Sequence, residues 1–223
     1  MPELPEVETV RRGLEPFLAG ATIDDVKLNR PDLRFPFPDN MVERLQGQTI
    51  QHVGRRAKYL VMELSSRESL LAHLGMSGSF KVGQYVPDAD ARVHKQKLSP
   101  KHDHVAMRLT HPTQGDVELI YNDPRRFGYM DLIGEDAPNK HLDHLGPEPL
   151  SNQFSAEHLV MRFEGKKSSV KTGLLDQRNV AGLGNIYVCE ALYEMGIDPF
   201  TPMAKLAKAH KKDPARLDGL TQA

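Results

Sequence analysis

The spacing of apolar residues at the start of the sequence predicts an amphipathic helix over residues 5–18. Apolar side chains recur there at steps of three and four positions, which places them on one face of a helix. These positions are Val7, Val10, Leu14 and Phe17. Pro5 suits the first helical position, because its φ is already fixed and its missing N–H would have no partner there. Gly20 lies where a helix of this length would end.

Residues 21–133 show a different pattern. They contain short runs in which apolar and polar residues alternate or β-branched side chains are frequent. The runs include ATIDDVKL, QTIQHVGRRAKYLVMEL, SLLAHLGMSGSF, HDHVAMRLT and DVELIYN. Turn-forming segments such as RPDLRFPFPDN and HPTQGD separate them, as is typical of short strands. One helix followed by several short strands predicts a β-sandwich or a flattened barrel. The polar residues 82–104 predict a long loop within it.

The pattern becomes helical after the proline-bearing stretch LGPEPLSNQF. Helical spacing follows in SAEHLVMRFEG, SSVKTGLLDQ, NIYVCEALYEMGIDPF and MAKLAKAHKKDPARLDGL,. We therefore predict an α+β chain with two domains joined at that stretch. An N-terminal β-sandwich domain with a leading helix covers residues 1–133, a linker covers 134–150, and a helical domain covers 151–223.

The composition is typical of a globular protein and excludes several other classes. The chain has 223 residues, of which 39% are hydrophobic, and this is enough for a substantial core. No run approaches the ~18 apolar residues that a membrane-spanning helix needs, and the acidic start does not fit a signal peptide. Cys189 is the single cysteine, which leaves no internal disulfide and no cysteine-rich metal site. We therefore expect a cytoplasmic protein.

The residues that precede the helix offer chemistry that a helix start does not explain. Removal of Met1 would make the nitrogen of Pro2 a terminal secondary amine, and an α-amino group has a pKa near ~8 that leaves a useful fraction unprotonated. Such an amine can attack an aldehyde-like carbon and form an iminium. Glu3 and Glu6 would lie beside it as groups for proton transfer. The alternative is an acidic helix N-terminus without chemistry.

Two further positions combine a residue type and a setting that invite function. Lys58 follows two arginines in QHVGRRAKYLVMEL, where it could face a polyanion or act as an acid–base group. The alternative is an ordinary strand lysine that points to solvent. Met76 lies between glycines in HLGMSGSF, and an exposed methionine at a loop tip suits a wedge that enters DNA. The alternative is a core methionine.

The segment YNDPRRFGYM places two cations and an aromatic ring on one turn. Arg125 and Phe127 suit phosphate contact and base stacking, and the alternative is a salt-bridged turn with a buried ring. The net charge of −1 argues against a polycation that coats nucleic acid. It does not exclude DNA binding, because phosphates respond to the local patch of charge.

A glycine-rich turn and a histidine pair complete the candidate chemistry. Asn185 follows the glycines of NVAGLGNIYVCEAL, where N–H groups at a helix start can hold an anion. The spacing does not match a dinucleotide-binding fingerprint, so a single backbone phosphate is the better ligand. His102 and His104 lie two positions apart without a third ligand nearby, which does not predict a metal site.

Taken in order, these segments closely resemble the formamidopyrimidine-DNA glycosylase family, bacterial enzymes that remove oxidised purines such as 8-oxoguanine. The segments are PELPEVETVRRGLEP, RRAKYL, HLGMSG, KHDH, NDPRRFG, HLGPEPL and GLGNIYVCEAL, and they span nearly the whole chain. Endonuclease VIII, a pyrimidine-directed relative, shares the Pro–Glu start. Its typical opening differs from PELPEVET, and we rank it second.

The resemblance implies a base-excision-repair glycosylase with an associated abasic-site lyase activity. By this resemblance, Pro2 is the nucleophile that displaces the damaged base from C1′ and forms a Schiff base. Glu3 is the general acid at the sugar, and Glu6 supports the site. Lys58 resembles the lysine that the family uses in β-elimination and phosphate contact.

The resemblance also implies a set of DNA-contacting residues. Met76, Arg125 and Phe127 match the residues that enter the duplex when the damaged nucleotide flips out. The segment around Asn185 corresponds to the helix-two-turns-helix element. Further positions that match or add to the DNA contacts are His102, Lys166, Lys171 and Asn185 itself. The implied partner is double-stranded DNA with oxidised purines or abasic sites, bound by a monomer.

The sequence departs from the family pattern at its C-terminal end. Family members continue into a zinc finger with four cysteines, whereas this sequence stops at LDGLTQA and has one cysteine. We interpret the chain as truncated before the finger, and we expect no zinc and no other cofactor within it. A non-catalytic protein that binds lesions or abasic sites is therefore an alternative to the enzyme.

Overall fold

The computed structural model describes residues 2–83, 87, 98–210 and 214–222. The chain forms two compact units, Met1–Pro138 and Asn139–Ala223. The division falls inside the segment 134–150, whose role as a linker stays a prediction. Most of the predicted loop 82–104 lies outside the described residues, and its last residues form a 3-10 turn at Pro100–His102 and the start of a strand.

The first unit begins with helix α1 (Leu4–Leu18), which confirms the predicted leading helix. Its buried stripe consists of Leu4, Val7, Val10, Leu14 and Leu18. The backbone N–H of Glu3, the N-cap residue, donates to the Glu6 carboxylate at 2.8 Å, as in a capping box. The chain leaves the helix through Gly20, whose φ of 89° lies in the left-handed region that glycine adopts at least cost,.

Eight strands and one short helix follow α1 among the described residues of the first unit. The strands are β1 (Thr22–Leu28), β2 (Ile50–Arg56), β3 (Tyr59–Leu64), β4 (Ser69–His73), β5 (Ser79–Val82), β6 (Asp103–His111), β7 (Gly115–Asn122) and β8 (Tyr129–Ile133). Helix α2 (Met41–Leu45) lies between β1 and β2. The strands form two antiparallel sheets of order β1-β6-β7-β5 and β2-β3-β4-β8, which confirms the predicted two-sheet architecture.

A single hydrophobic cluster joins α1 to both sheets. It includes Leu14 from α1, Ile23 and Phe80 from one sheet, and Leu60 and Met62 from the other. Strand side chains alternate between faces, so each sheet contributes one apolar face to this core. Full burial of such a side chain stabilises the fold by about 1.5–3 kcal/mol. The core therefore supplies a rigid base for the turns that connect the strands.

The second unit is helical, as predicted. Its helices are α3 (Ala156–Phe163), α4 (Val170–Leu175), α5 (Asn185–Glu194), α6 (Met203–His210) and α7 (Ala215–Leu220). Ser155 and Ser169 cap α3 and α4 by accepting backbone N–H bonds at 3.2 and 3.3 Å,. A separate core includes Leu159, Phe163 and Val188. In the described part of the chain, every helix is too short or too polar to span a membrane.

Candidate functional site

The start of α1 holds a buried carboxylate next to Pro2. Glu3 is 2% exposed, although it lies only two residues from the start of the chain. Pro2 and Glu6 are half-buried on either side of it. The capping hydrogen bond from Glu3 N–H to Glu6 fixes the backbone at this point. Pro2, Glu3 and Glu6, which the sequence predicted to be catalytic, therefore lie together at the start of α1. Of the three, Glu3 is buried.

Lys58 lies in the turn between β2 and β3, whereas the sequence predicted it within a strand. Ala57 before it has a φ of 52°, a left-handed conformation that reverses the chain here,. Lys58 is 8% exposed. Burial lowers the pKa of Lys58 from its ordinary value of 10.5, and the charge of the Glu3 carboxylate opposes that shift. Glu3 and Lys58 therefore form a coupled pair of opposite charge in a partly dry site.

A network around Glu8 joins the helix of Glu3 to the hairpin of Lys58. Glu8 accepts hydrogen bonds from Arg12 at 2.9 Å and from Arg11 and Arg55 at 3.1 Å each. Arg11 also donates to the carbonyl of Val53 in β2 at 3.1 Å. These three guanidinium groups hold the pKa of Glu8 at about 2, against the opposing effect of burial. The sequence pattern does not reveal this network, because Arg55 in β2 is 47 residues from Glu8 along the chain.

Two neighbouring turns of the first unit expose large apolar side chains. We name residues 75–78, between β4 and β5, the Met76 turn, and residues 124–128, between β7 and β8, the Phe127 turn. Met76 is 44% exposed and Phe127 is 42% exposed. The guanidinium carbon of Arg125 lies 4.8 Å from the centre of the Phe127 ring, within range of a cation–π contact. The sequence prediction of exposed Met76, Arg125 and Phe127 agrees with this arrangement.

The two turns border a cleft with a volume of ~610 Å³. Its lining includes Arg34, His73 and Asp32 together with Met76, Arg125 and Phe127. Arg34 and His73 were not predicted as site residues, because RPDLRFPFPDN has the composition of a turn and SLLAH that of an ordinary strand. A signal was present, since Arg34–Phe35 repeats the pairing of a cation with an aromatic ring. The cleft therefore presents apolar and cationic groups side by side.

His102 is linked to the Phe127 turn through the backbone. Its carbonyl accepts a hydrogen bond from the N–H of Asp123 at 3.0 Å. The ring of His104 is buried and donates to the carbonyl of Asp123 at 2.8 Å. Within residues 2–83, 87, 98–210 and 214–222, no three His, Cys, Asp or Glu side chains cluster as a metal site requires.

The second unit carries Lys166, Lys171 and Asn185 on its surface. Lys166 follows α3 and is exposed, Lys171 is half-buried in the first turn of α4, and Asn185 is the exposed first residue of α5. In the described part of the unit, these three side chains form no hydrogen bond or ion pair with one another. Asn185 Oδ1 accepts a weak bond from Cys189 at 3.8 Å. The side chains of Lys166, Lys171 and Asn185 are at least partly accessible to a ligand that extends along the surface, such as a phosphate backbone.

A two-sheet unit with a buried acid–lysine pair and two exposed turns, followed by a helical unit, is matched by the family models of DNA glycosylases that act in DNA repair. Residues 1–130 match the family model of the formamidopyrimidine-DNA glycosylase N-terminal domain. Residues 145–213 match the model of the formamidopyrimidine-DNA glycosylase H2TH domain. The chain belongs to the formamidopyrimidine-DNA glycosylase family.

Individual relatives agree with this assignment. The chain is 52% identical over 209 residues to the formamidopyrimidine-DNA glycosylase of Jannaschia sp., covering 93% of this chain and 72% of the relative. It is 49% identical over 213 residues to that of Brucella canis, with the same two coverages. Both relatives are bacterial. The chain thus spans about 72% of the length of these proteins.

Solved structures extend the likeness to three dimensions. A complex of Lactococcus lactis Fpg with abasic-site DNA has a TM-score of 0.80 and 32% identity, covering 99% of this chain and 77% of the other. A complex of the same protein with DNA that contains Fapy-dG has a TM-score of 0.79, with the same identity and coverages. The architecture of both units is therefore that of the family.

Proposed function

We propose that this protein excises oxidised purines, 8-oxoguanine and formamidopyrimidines, from double-stranded DNA and then cleaves the strand at the abasic site. The observation that carries the proposal is the burial of Glu3 beside Lys58, directly after Pro2. A terminal amine, a buried acid and a lysine of lowered pKa are the groups that an imine-forming lyase needs. Family membership supports the same reaction.

In the proposed reaction, removal of Met1 frees the nitrogen of Pro2. Its lone pair forms a bond to C1′ of the damaged nucleotide, while the bond from C1′ to the base breaks. The electron pair of that bond leaves with the base, which takes up the proton of the Pro2 N–H. Glu3 donates a proton to the ring oxygen of the sugar, so the ring opens and C1′ becomes part of an iminium.

Strand cleavage follows from the iminium by elimination. The positive nitrogen acidifies the proton on C2′, and loss of that proton expels the phosphate from C3′. Lys58 is the proposed base and phosphate contact, because its lowered pKa raises the fraction of neutral amine,. Glu6 holds the backbone of Glu3 in place. These steps use the chain's own amine, carboxylate and lysine, and none passes through a metal or another cofactor.

The proposed DNA grip divides between the two units. Extrusion of a stacked base costs a few kcal/mol, and Met76, Arg125 and Phe127 would offset that cost by filling the vacated space. His102 would contact DNA close to the Phe127 turn. The proposed contacts of the helical unit are Lys166, Lys171 and Asn185. We propose that one monomer binds one lesion, and that the protein works in the cytoplasm on the bacterial chromosome.

The proposal is tested by trapping the iminium with borohydride. The full chain is incubated with a duplex that contains 8-oxoguanine, and intact mass first establishes whether Met1 is absent. We expect a covalent protein–DNA adduct with the wild type, and none after the α-amino group is blocked by acetylation or with Glu3→Gln. Tight binding to abasic-site DNA without any adduct would instead support the non-catalytic alternative. Faster trapping on an oxidised pyrimidine than on 8-oxoguanine would support the endonuclease VIII-like alternative.

A further inference from the structure

The buried carboxylate of Asp123 contacts both exposed turns at once. Asp123 is 0% exposed and directly precedes the Phe127 turn. Its Oδ1 accepts from the hydroxyl of Ser77 at 2.5 Å and from the N–H of Arg125 at 3.2 Å. Its Oδ2 accepts from the N–H of Gly128 at 2.8 Å. One carboxylate therefore joins the Met76 turn to both ends of the Phe127 turn.

Further contacts tie the same turns together. The hydroxyl of Ser77 accepts a hydrogen bond from the N–H of Arg125 at 3.2 Å, so the Met76 turn also contacts the Phe127 turn directly. A Cβ on Gly75 would lie 2.3 Å from the carbonyl carbon of Phe127, which shows that the two backbones pack in contact. The turns can approach this closely only because Gly75 has no side chain.

The buried side chain of Tyr121 contacts Asp123 and the residue that ends β4. Its hydroxyl lies 3.4 Å from Asp123 Oδ2 and 3.4 Å from the carbonyl of His73, which precedes the Met76 turn. Burial and the neighbouring Asp123 carboxylate raise the pKa of Tyr121 well above 10. The hydroxyl thus keeps its proton and stays a donor. The carboxylate faces hydroxyl and N–H donors from three segments of chain, which are enough to satisfy it without a cation.

We propose that Asp123 is a positioning residue that locks the Met76 and Phe127 turns into one preformed wedge before DNA binds. This proposal rests on the proposed function, and it concerns the step in which the damaged base leaves the stack. A wedge assembled during folding needs no further ordering in the complex, and preorganisation of this kind lowers the cost of binding. Asp123 itself is buried and cannot contact DNA, so it acts through the two turns.

The coupling of the turns is tested in the free protein by hydrogen exchange of the backbone amides. Ser77→Ala removes one hydroxyl from the Met76 turn. The matched control is Ser66→Ala in the turn between β3 and β4, where the hydroxyl of Ser66 accepts a hydrogen bond from the N–H of Glu68. We expect Ser77→Ala to speed exchange at least about tenfold in both turns, and Ser66→Ala to change neither, since exchange reports local opening. Faster exchange confined to residues 75–78, or no change, would overturn the coupling.

The consequence for base extrusion is tested with Asp123→Asn and Tyr121→Phe in the full chain. Excision of 8-oxoguanine from a duplex requires extrusion, whereas cleavage of an abasic site in a single-stranded oligonucleotide does not. We expect duplex excision to fall by about tenfold to a hundredfold, because misplaced contacts raise the barrier of that step, and single-strand cleavage to stay within about twofold. Equal losses on both substrates, or no loss on the duplex, would overturn the positioning role.

The two experiments separate this inference from the proposed function. A wild-type chain that cleaves neither substrate contradicts the proposed function, while the hydrogen-exchange comparison still decides whether Asp123 and Ser77 couple the turns. A wild-type chain that is active, with variants that show unchanged duplex excision, contradicts only the inference. Tyr121→Phe keeps the test valid if Asp123→Asn does not fold, because it removes one donor and leaves the buried carboxylate paired.

Discussion

The guanidinium of Arg55 in β2 donates a hydrogen bond to the carboxylate of Glu8 in α1 at 3.1 Å. Both side chains are mostly buried, with 13% and 25% of their surfaces exposed. Glu8 lies five residues after Glu3, and Arg55 lies three residues before Lys58. The ion pair therefore fixes the distance between the two elements that present the proposed acid and the proposed lysine.

We expect Glu8→Gln to destabilise the first unit by about 1–2 kcal/mol, since charge-assisted hydrogen bonds to three arginines are lost in a partly exposed site. Thermal or urea denaturation at neutral pH measures the change. Glu43→Gln is the matched control, because Glu43 is exposed in α2 and forms no ion pair with any of the residues that the structure describes. An equal effect of the two substitutions would show that the Glu8 network contributes nothing.

The same network predicts a pH dependence with a definite sign. The pKa of Glu8 is about 2 in the folded protein, below the value of 4.5 expected for the unfolded chain. The unfolded chain therefore binds the proton first, and the stabilisation is complete above pH 4.5 and lost as the pH falls toward 2. The stability difference between wild type and Glu8→Gln should shrink over that interval. A difference that stays constant from pH 6 to pH 2 would contradict the assignment.

Lys58→Met should slow abasic-site cleavage without lowering the stability of the fold at neutral pH. Burial lowers the pKa of Lys58, so the folded protein binds its proton less well than the unfolded chain does. The unfolded chain therefore binds more protons than the folded protein at pH values between the lowered pKa of Lys58 and 10.5. Over that pH range, the free energy of unfolding of the wild type should increase with pH relative to that of Lys58→Met. At neutral pH the variant should be at least as stable as the wild type. Loss of the proposed base should slow abasic-site cleavage by about a hundredfold.

The control for this prediction is Lys27→Met, in which an exposed lysine of β1 receives the same change. It should leave the rate of abasic-site cleavage unchanged, and its stability over the same pH series is the reference for Lys58→Met. Calorimetry over a pH series and single-turnover cleavage of an abasic duplex measure the two quantities. Retention of full cleavage by Lys58→Met would remove Lys58 from the proposed mechanism.

The close packing of the two turns predicts a large cost for Gly128→Ala. A Cβ at this position would lie 1.8 Å from the hydroxyl of Tyr121 and 2.6 Å from the carbonyl of His73. The backbone carbonyl cannot rotate away, so we expect a loss of about 3 kcal/mol or more. Gly134→Ala is the control, because its Cβ would meet only Ala137 at an ordinary 3.5 Å. Melting temperatures within about 2 °C of each other would contradict this packing.

The sequence predicted the elements of the fold better than the assembly of the site. The stripe from Val7 to Leu14 and the alternation in β6 and β7 are local signals, and they identified the helix and the strands. Lys58 was misplaced, because the left-handed turn at Ala57 has no glycine to mark it,.

Contacts between distant positions had no local signature at all. Ser77 and Asp123 are 46 residues apart, and Glu8 and Arg55 are 47 apart, so no periodicity connects them. His73 and Arg34 likewise reach one cleft only through the pairing of strands and the path of the long connection after β1. Such contacts follow from tertiary packing, which a pattern along the chain does not contain.

Phe127→Ala should impair lesion excision without loss of stability. Phe127 is 42% exposed and lies outside the hydrophobic core cluster, so its truncation removes less buried area than truncation of a core side chain would. Base–aromatic stacking contributes about 1–3 kcal/mol, and excision from a duplex should slow by about tenfold or more. Leu150→Ala, at a position that is 92% exposed, is the apolar control. A 2-aminopurine probe opposite the lesion reports extrusion, and an unchanged rate would exclude a stacking role for the ring.

Lys171→Ala should weaken DNA binding in a way that depends on salt and not on the lesion. A lysine that neutralises one phosphate releases one counterion, so its removal should reduce the slope of log K against log salt by about 1. Lys205→Ala changes an exposed lysine of α6 in the same unit and serves as the control. Affinities for lesion-containing and undamaged duplexes, measured by fluorescence anisotropy from low to moderate salt, should fall by the same factor for Lys171→Ala. An unchanged slope would show that Lys171 lies off the DNA path, whereas a loss confined to the lesion duplex would place it at the damaged nucleotide.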